Sequence, residues 1–453
     1  MLFATSASLG LADPATSPQS LPASSPETAP LDRPLSLKEC TELALRHNGD
    51  LARARYELEA AHGVALQLRS VALPSVKVAG DYLDYRERKV DSLALPLPAA
   101  THLWTASIRV VQPIYEGGRL QASLKISTLT RQEALARFQA IAADKILEVR
   151  TAYLDLQLAR ARLQSEQSAV DWRSRELQEA KSRLGTGLTE RHELMRAEVE
   201  AARSRQALLR AQNQFQLDQV RFIQLLGFNP PAGNSLPAQL QLADALQAPT
   251  PTPVDLPASI ARALQNRPEL EAQARQLSIE EERLQSARGG YKPSIQLLGG
   301  YGGFNDDLDR KVTGWFAGAQ LNWNLFDGQH TQGKVREARG RHSAADARLG
   351  ELKRTVALEV RVAHSNLAEA RELLDLSAKV QEMADEALRV AGSSHRAGGI
   401  TAISLAAAQH SADDARYSTL RAWRDYHVAH AALERAIGLG VSADPAATPS
   451  GQN

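Results

Sequence analysis

A single cysteine, Cys40, in 453 residues excludes an internal disulfide. Its setting, SLKEC, also lacks the small apolar residues that precede a lipidated cysteine, which leaves it a structural bystander. No run of eighteen apolar residues occurs, so no α-helix of this chain spans a bilayer. Short alternating β-strands escape that exclusion. Neither sign of charge prevails: 53 basic residues meet 52 acidic ones, and the net charge of +1 removes the global field expected of a nucleic-acid-binding protein. Aromatic residues are few, at 5%, and a chain this rich in Ala, Leu, Arg, Glu and Gln leans towards long helices. No phosphate-cradling glycine loop follows a strand, and no serine sits in a nucleophile elbow, so the sequence offers no catalytic residue.

What is present is a sizeable apolar share, 43%, enough for an extended core. The start, MLFATSASLGLADPA, is a short apolar run ending in small residues with no basic residue before it. It reads either as the remnant of a secretory signal or as a plain disordered tail. Prolines at 14, 18, 22, 26, 30 and 34 then keep the segment extended.

The sequence repeats itself at a nearly fixed offset. Val149, Leu156, Leu163, Val170, Leu177 and Leu184 lie seven apart, and a shift of 211 lands on Val360, Leu367, Leu374, Gln381, Leu388 and His395, four of which are apolar again. A second row, Leu194, Ala201, Leu208, Phe215 and Phe222, maps by the same shift onto Leu405, Ala412, Thr419, Tyr426 and Leu433. Gly227 and Gly438 are also 211 apart, as are IYEGG at 114–118 and LFDGQ at 325–329. ALRHNGDL at 44–51 matches ALQNRPEL at 263–270 by a slightly larger offset, which places an insertion of about eight residues between Pro74 and Gly117. The chain is therefore one unit written twice. The first repeat covers 35–227, with a hairpin near 74–115, a long helix near 119–184 and a return helix near 189–227. A Pro-rich linker covers 228–256. The second repeat covers 257–440, with a hairpin near 293–326, a long helix near 330–396 and a return helix near 400–438. The ends, 1–34 and 441–453, read as tails.

In the hairpins the period changes to two. Trp315, Ala317, Ala319, Leu321, Trp323 and Leu325 share one face, and Trp104, Ala106, Ile108 and Val110 do the same in the first copy. The opposite face offers Thr105, Ser107, Arg109, Gln320 and Asn322. A row of apolar residues seven apart needs partner helices along its length, and on the helices alone a soluble coiled-coil scaffold is an equal reading. The strands break that tie. They are about ten residues long, with tryptophans suited to headgroup level, and no other segment supplies an apolar surface to cover them. Four strands cannot close alone in lipid. Two chains would give a filled barrel, and three would give twelve strands with room for a channel.

The order of helix, hairpin, long helix, glycine turn and helix, with LPSV (73–76) and KPSI (292–295) entering the hairpins and PIYEGG and NLFDGQ leaving them, resembles the outer membrane efflux protein family typified by TolC. The resemblance covers about residues 35–440. It implies a mainly α fold with a transmembrane β-barrel portion, in which a homotrimer builds one 12-stranded barrel in outer-membrane lipid, four strands per chain, and a long α-helical periplasmic tunnel. It also implies a periplasmic adaptor protein and an inner-membrane transporter of RND, ABC or MFS type as partners, no cofactor, and the outer membrane of a Gram-negative bacterium as location.

By the same resemblance, the two glycine breaks are the adaptor-docking turns: Arg183, Leu184, Gly185, Thr186, Gly187, Leu188 and Thr189 in the first copy, and Arg396, Gly398, Gly399, Ile400 and Thr401 in the second. Local chemistry suits a turn, with Gly185 as left-handed cap, Arg183 on the helix dipole, and Thr189 and Thr401 as caps of the returning helices. Tunnel-entrance positions fall on Glu193, Ser404 and Ala407, two of them uncharged. Glu193 also reads as a simple first-turn acid. Trp104, Trp315 and Trp323 are the expected membrane-facing aromatics. His427 and His430 with Asp425 have chelating spacing, although such a pair on an Ala-rich helix is ordinarily packing or surface, and no metal site is assigned. His192 and His395 flank the turns.

Overall fold

In the computed structural model, which describes residues 33–84, 102–186, 190–229, 242–251, 253–305 and 312–439, one series of elements occurs twice. The first is α1 (Leu37–His47), α2 (Gly49–Ser70), β1 (Ser75–Asp84), β2 (His102–Glu116), α3 (Arg119–Gly185) and α4 (Arg191–Leu225). The second is α5 (Leu256–Asn266), α6 (Pro268–Arg288), β3 (Ser294–Asn305), β4 (Val312–Asn322), α7 (His330–Arg396) and α8 (Ala402–Ile437). Residues 1–32 and 440–453, and the extra residues of the first hairpin, lie outside the described residues.

The helix expected to open each repeat is in fact two. Asn48 leaves the helical region (φ −63°, ψ 129°) and its side chain accepts from the N–H groups of Asp50 and Leu51, so it ends α1 and caps α2. In the second copy Pro268 imposes the break, because a residue before proline is pushed out of the helical region and Arg267 sits there (φ −70°, ψ 123°).

Both kinks are tied to the end of a return helix. Asn48 Nδ2 donates to the Leu225 carbonyl at 2.7 Å, and the buried Arg267 donates through Nε to the Ala436 carbonyl at 2.8 Å while pairing with Glu359. Those carbonyls belong to last turns, where no helical partner remains. Gly227 and Gly438 then close α4 and α8 in left-handed conformation, each with paired bonds from its own N–H and the next one.

α3 and α7 contain 67 residues each, roughly 100 Å at 1.5 Å per residue. Rods of this length persist because α4 returns along α3 and α8 along α7, while α2 and α6 pack beside α3. The two main core clusters share matching positions. Val149, Leu156, Phe222 and Leu226 in the first become Val360, Leu367, Leu433 and Ile437 in the second, each contributing about 1.5–3 kcal/mol by burial. Tyr153 donates its hydroxyl to the Leu35 carbonyl at 3.1 Å, and His364, at the matching position, bonds the Val254 carbonyl at 3.2 Å. Each side chain pins the segment leading into its repeat. Cys40 is fully buried in the first cluster, and burial pushes its thiol up to about 12, which leaves it unreactive.

Where α3 meets α8 the contact is polar instead. Asp144 pairs with Arg435, Glu434 with Arg150 at 2.7 Å and Asp155 with Arg424 at 2.7 Å, and the Arg162 guanidinium lies 4.5 Å from the Tyr417 ring centre. Partly exposed pairs of this kind contribute at most about 1 kcal/mol each. They set the register of one repeat on the other.

The four strands form one antiparallel sheet in the order β1-β2-β3-β4. The central pairing, β2 with β3, joins the two repeats. β2 and β4 end on the same side, so α3 and α7 leave the sheet in one direction. Two consecutive left-handed residues make each passage from strand to helix: Gly117 and Gly118 in one copy, Gly328 and Gln329 in the other.

Candidate membrane sheet and docking turns

Cα partners across a ladder share a face, so the registers sort the sheet's side chains. Val78, Ile108, Tyr301 and Trp315 form one row, and Val76, Val110, Gly299 and Ala317 the next. Tyr82, Trp104, Leu297 and Leu321 extend the same apolar face. The other face carries Lys77, Asp81, Thr105, Ser107, Arg109, Gln296 and Gln320. Here the Gln296 amide donates to Gln320 at 2.8 Å and the Thr105 hydroxyl to Asp81 at 3.2 Å. Among the described residues nothing covers the apolar face: Val78 is 79% and Trp315 81% exposed. Both edges, β1 and β4, are unpaired among the described residues. No helix among the described residues is long and apolar enough to cross a membrane.

The expected alternation of β4 through Trp323 and Leu325 needs correction. The strand stops at Asn322, which pairs with Ser294, the first residue of β3, so the ladder has no partner beyond it. Trp323 lies past the strand with its Nε1 donating to the Tyr291 carbonyl at 3.2 Å. The Trp104 Nε1 is buried without an acceptor among the described residues.

At the far ends of the rods, the second turn is a left-handed glycine cap. Gly398 has φ +75° and donates to the His395 carbonyl at 3.0 Å, while Gly399 donates to Ser394 at 2.8 Å. His395 Nδ1 bonds the Ile400 carbonyl at 3.1 Å across the turn, and Thr401 caps α8 by accepting from the Ser404 N–H. Arg396 is the last residue of α7, where its charge suits the helix dipole.

The first turn is built differently. Gly185 is the last helical residue of α3 and does not take the left-handed conformation expected of it; its neighbour Thr186 (φ −97°, ψ 4°) ends the helix. The Thr186 hydroxyl donates back to the Arg183 carbonyl at 3.0 Å, supplying the last-turn partner that a left-handed glycine would otherwise provide. Arg183 and Leu184 form the final turn of α3. Gly187, Leu188 and Thr189 lie outside the described residues, and α4 begins at Arg191 with Glu190 at the cap position.

Glu193 is exposed in the first turn of α4, and Ser404 and Ala407 are exposed at the start of α8. His192 lies 3.0 Å from Glu190. His427 bonds the Gln247 carbonyl at 3.0 Å, whereas His430 faces Glu434 at 3.6 Å and stacks on Tyr426. Among the described residues no group of three or more His, Cys, Asp or Glu side chains could hold a metal. Sequence reasoning missed the paired latches at Asn48 and Arg267. The matched segments ALRHNGDL and ALQNRPEL placed them at equivalent positions, but an amide and a guanidinium share no side-chain class that an alignment by apolar pattern would notice.

Comparison with known proteins agrees with this geometry. The profile of the outer membrane efflux protein family matches residues 41–228 and 259–439, one stretch in each repeat. Nodulation protein T of Rhizobium leguminosarum bv. trifolii is 26% identical over 301 residues, a match that takes in 65% of this chain and 63% of that protein. Among solved structures, the outer-membrane channel OprN is 20% identical with a TM-score of 0.74, covering 89% of this chain and 90% of that one. The outer membrane protein VceC of Vibrio cholerae is 19% identical with a TM-score of 0.74, covering 89% and 96%. With both repeats matched in sequence and the whole architecture matched in space, this chain belongs to the outer membrane efflux protein family.

Proposed function

We propose that three copies of this chain close into one twelve-stranded barrel in the outer membrane, continued by their helices into a periplasmic tunnel. The assembly is the exit duct of an efflux or secretion system. The observation that carries this is the sheet: among the described residues of each chain it has one bare apolar face, one polar face and two unpaired edges. An unpaired edge in lipid costs several kcal/mol per backbone group, so the edges must meet those of other copies, and twelve strands leave a lumen where eight would fill it. Fractionation should place the protein in the outer membrane as a detergent-extractable trimer. A monomer recovered from the soluble periplasm would overturn the reading.

Substrate enters this duct from a periplasmic adaptor and an inner-membrane transporter of RND, ABC or MFS type, the adaptor docking on the turns at 183–189 and 396–401. Gly399 is the position at which to test this. Its φ lies outside the left-handed region and an added Cβ would meet only the Ser394 carbonyl at 3.5 Å, an ordinary van der Waals contact, so the backbone here tolerates a side chain. Gly399→Trp is expected to keep the trimer and to weaken adaptor binding by about tenfold or more, as blocking the centre of an interface does. Pull-down with the adaptor and an export assay read it, and unchanged export would refute docking at this turn. With Ser404 and Ala407 uncharged, Glu193 is the one acid among the three entrance positions, so multivalent cations should block conductance only weakly. Strong block at micromolar concentration in planar bilayers would contradict that assignment.

A further inference from the structure

Lys77 of β1 and Arg109 of β2 are Cα partners. They stand side by side on the face opposite the apolar one, although like charges directly opposed weaken a sheet. Their row continues through Gly300 and Phe316, so β3 and β4 add no charge at that level; neither strand contains a charged residue at all. The nearest acid on that face, Asp81, is four residues along β1, about 13 Å away and beyond the screening length of about 8 Å in physiological salt. Glu116 is farther still, at the end of β2. Folding gains nothing from placing both cations of this face in one row.

Resting on the exit-duct reading above, we propose that Lys77 and Arg109 form a cationic belt around the barrel lumen that makes the open pore select anions and favours anionic solutes as substrates. Three copies contribute six charges. Twelve strands spaced about 4.8 Å and tilted about 40° enclose a backbone diameter of about 24 Å. Inward-reaching Lys and Arg side chains bring every permeating ion within about one screening length of the belt. The Phe316 ring stabilises the neutral half of the row: it packs over Gly300, where an added Cβ would stand 2.8 Å from the ring edge.

The test is the reversal potential of purified trimers in planar bilayers under a potassium chloride gradient. Wild type is expected to pass chloride over potassium by about threefold or more. The double variant Lys77→Gln/Arg109→Gln should bring that ratio to about one with conductance retained, and Asp81→Asn should raise it. Because these side chains are exposed and polar, the variants should migrate as trimers like wild type, which checks their folding. A conducting wild type that prefers potassium, or a double variant with unchanged selectivity, would overturn the belt and leave the duct standing. A trimer that conducts nothing would overturn the duct and the belt together.

Discussion

Ile108→Arg is expected to abolish outer-membrane trimers, while Ser107→Arg, one residue away, leaves them near wild-type abundance. Ile108 lies mid-strand in β2, half exposed, between Val78 and Tyr301 on the bare apolar face. Arginine near the bilayer midplane costs about 2–4 kcal/mol on the lipid side of a barrel, and three copies bring this to about 6–12 kcal/mol per trimer. Ser107 points to the polar face, beside Ala79 and Gly302 in the register, where an arginine meets water. The measurement is the amount of heat-labile trimer in outer-membrane fractions for the two variants side by side. Equal amounts would mean that the face assigned to lipid is not in lipid. The pair is informative because period-two alternation forces adjacent residues to opposite sides, so a general intolerance of β2 to arginine would strike both.

The second large effect concerns the helix closures. Gly227→Ala is expected to destabilise the protein by about 3 kcal/mol, from about 1–2 kcal/mol for a left-handed non-glycine residue and about 1–3 kcal/mol for overpacking. Its φ is +94°, and an added Cβ would stand 2.2 Å from the His47 carbonyl oxygen and 2.8 Å from the Asn48 nitrogen, backbone atoms held by the Asn48 kink. Gly438→Ala should follow the same pattern more mildly, since its Cβ would stand 3.0 Å from the Asn266 carbonyl. Gly63→Ala is the control: it sits inside α2 with nothing within 4 Å, and alanine there should stabilise by about 0.5–1 kcal/mol. Thermal dissociation of the trimer in detergent ranks the three. If Gly227→Ala melted with wild type, the kink would not be clamped against the end of α4.

Much of this architecture is legible in the sequence because its signals are periodic. Rows seven apart mark the rods, a shift of 211 marks the duplication, and alternation assigned Trp104, Ala106, Ile108 and Val110 to one face, which the register confirms. Signals carried by one residue were harder to read. The break at Asn48 depends on a side chain accepting from two N–H groups, and the break at Arg267 depends on the proline behind it, so neither disturbs the apolar period. The turn glycines marked where α3 ends without showing how, because Thr186 could satisfy the last carbonyls through its hydroxyl and left Gly185 helical. The end of β4 was set by the length of its neighbour: Trp323 continues the alternation in sequence, but Ser294 is the last available partner. Which hairpin strands adjoin across the repeats, β2 and β3, has no local signature at all.

Four of the twelve residues of β3 are glycines, Gly299, Gly300, Gly302 and Gly303. Glycine is a poor strand former, so this strand holds its extended shape only when flanked on both sides. A newly made chain has to cross an aqueous compartment before it meets lipid, and a firm ribbon with one oily side would recruit strangers on the way. A central strand with little intrinsic preference should keep the ribbon loose during transit and defer its completion until the bilayer rewards it.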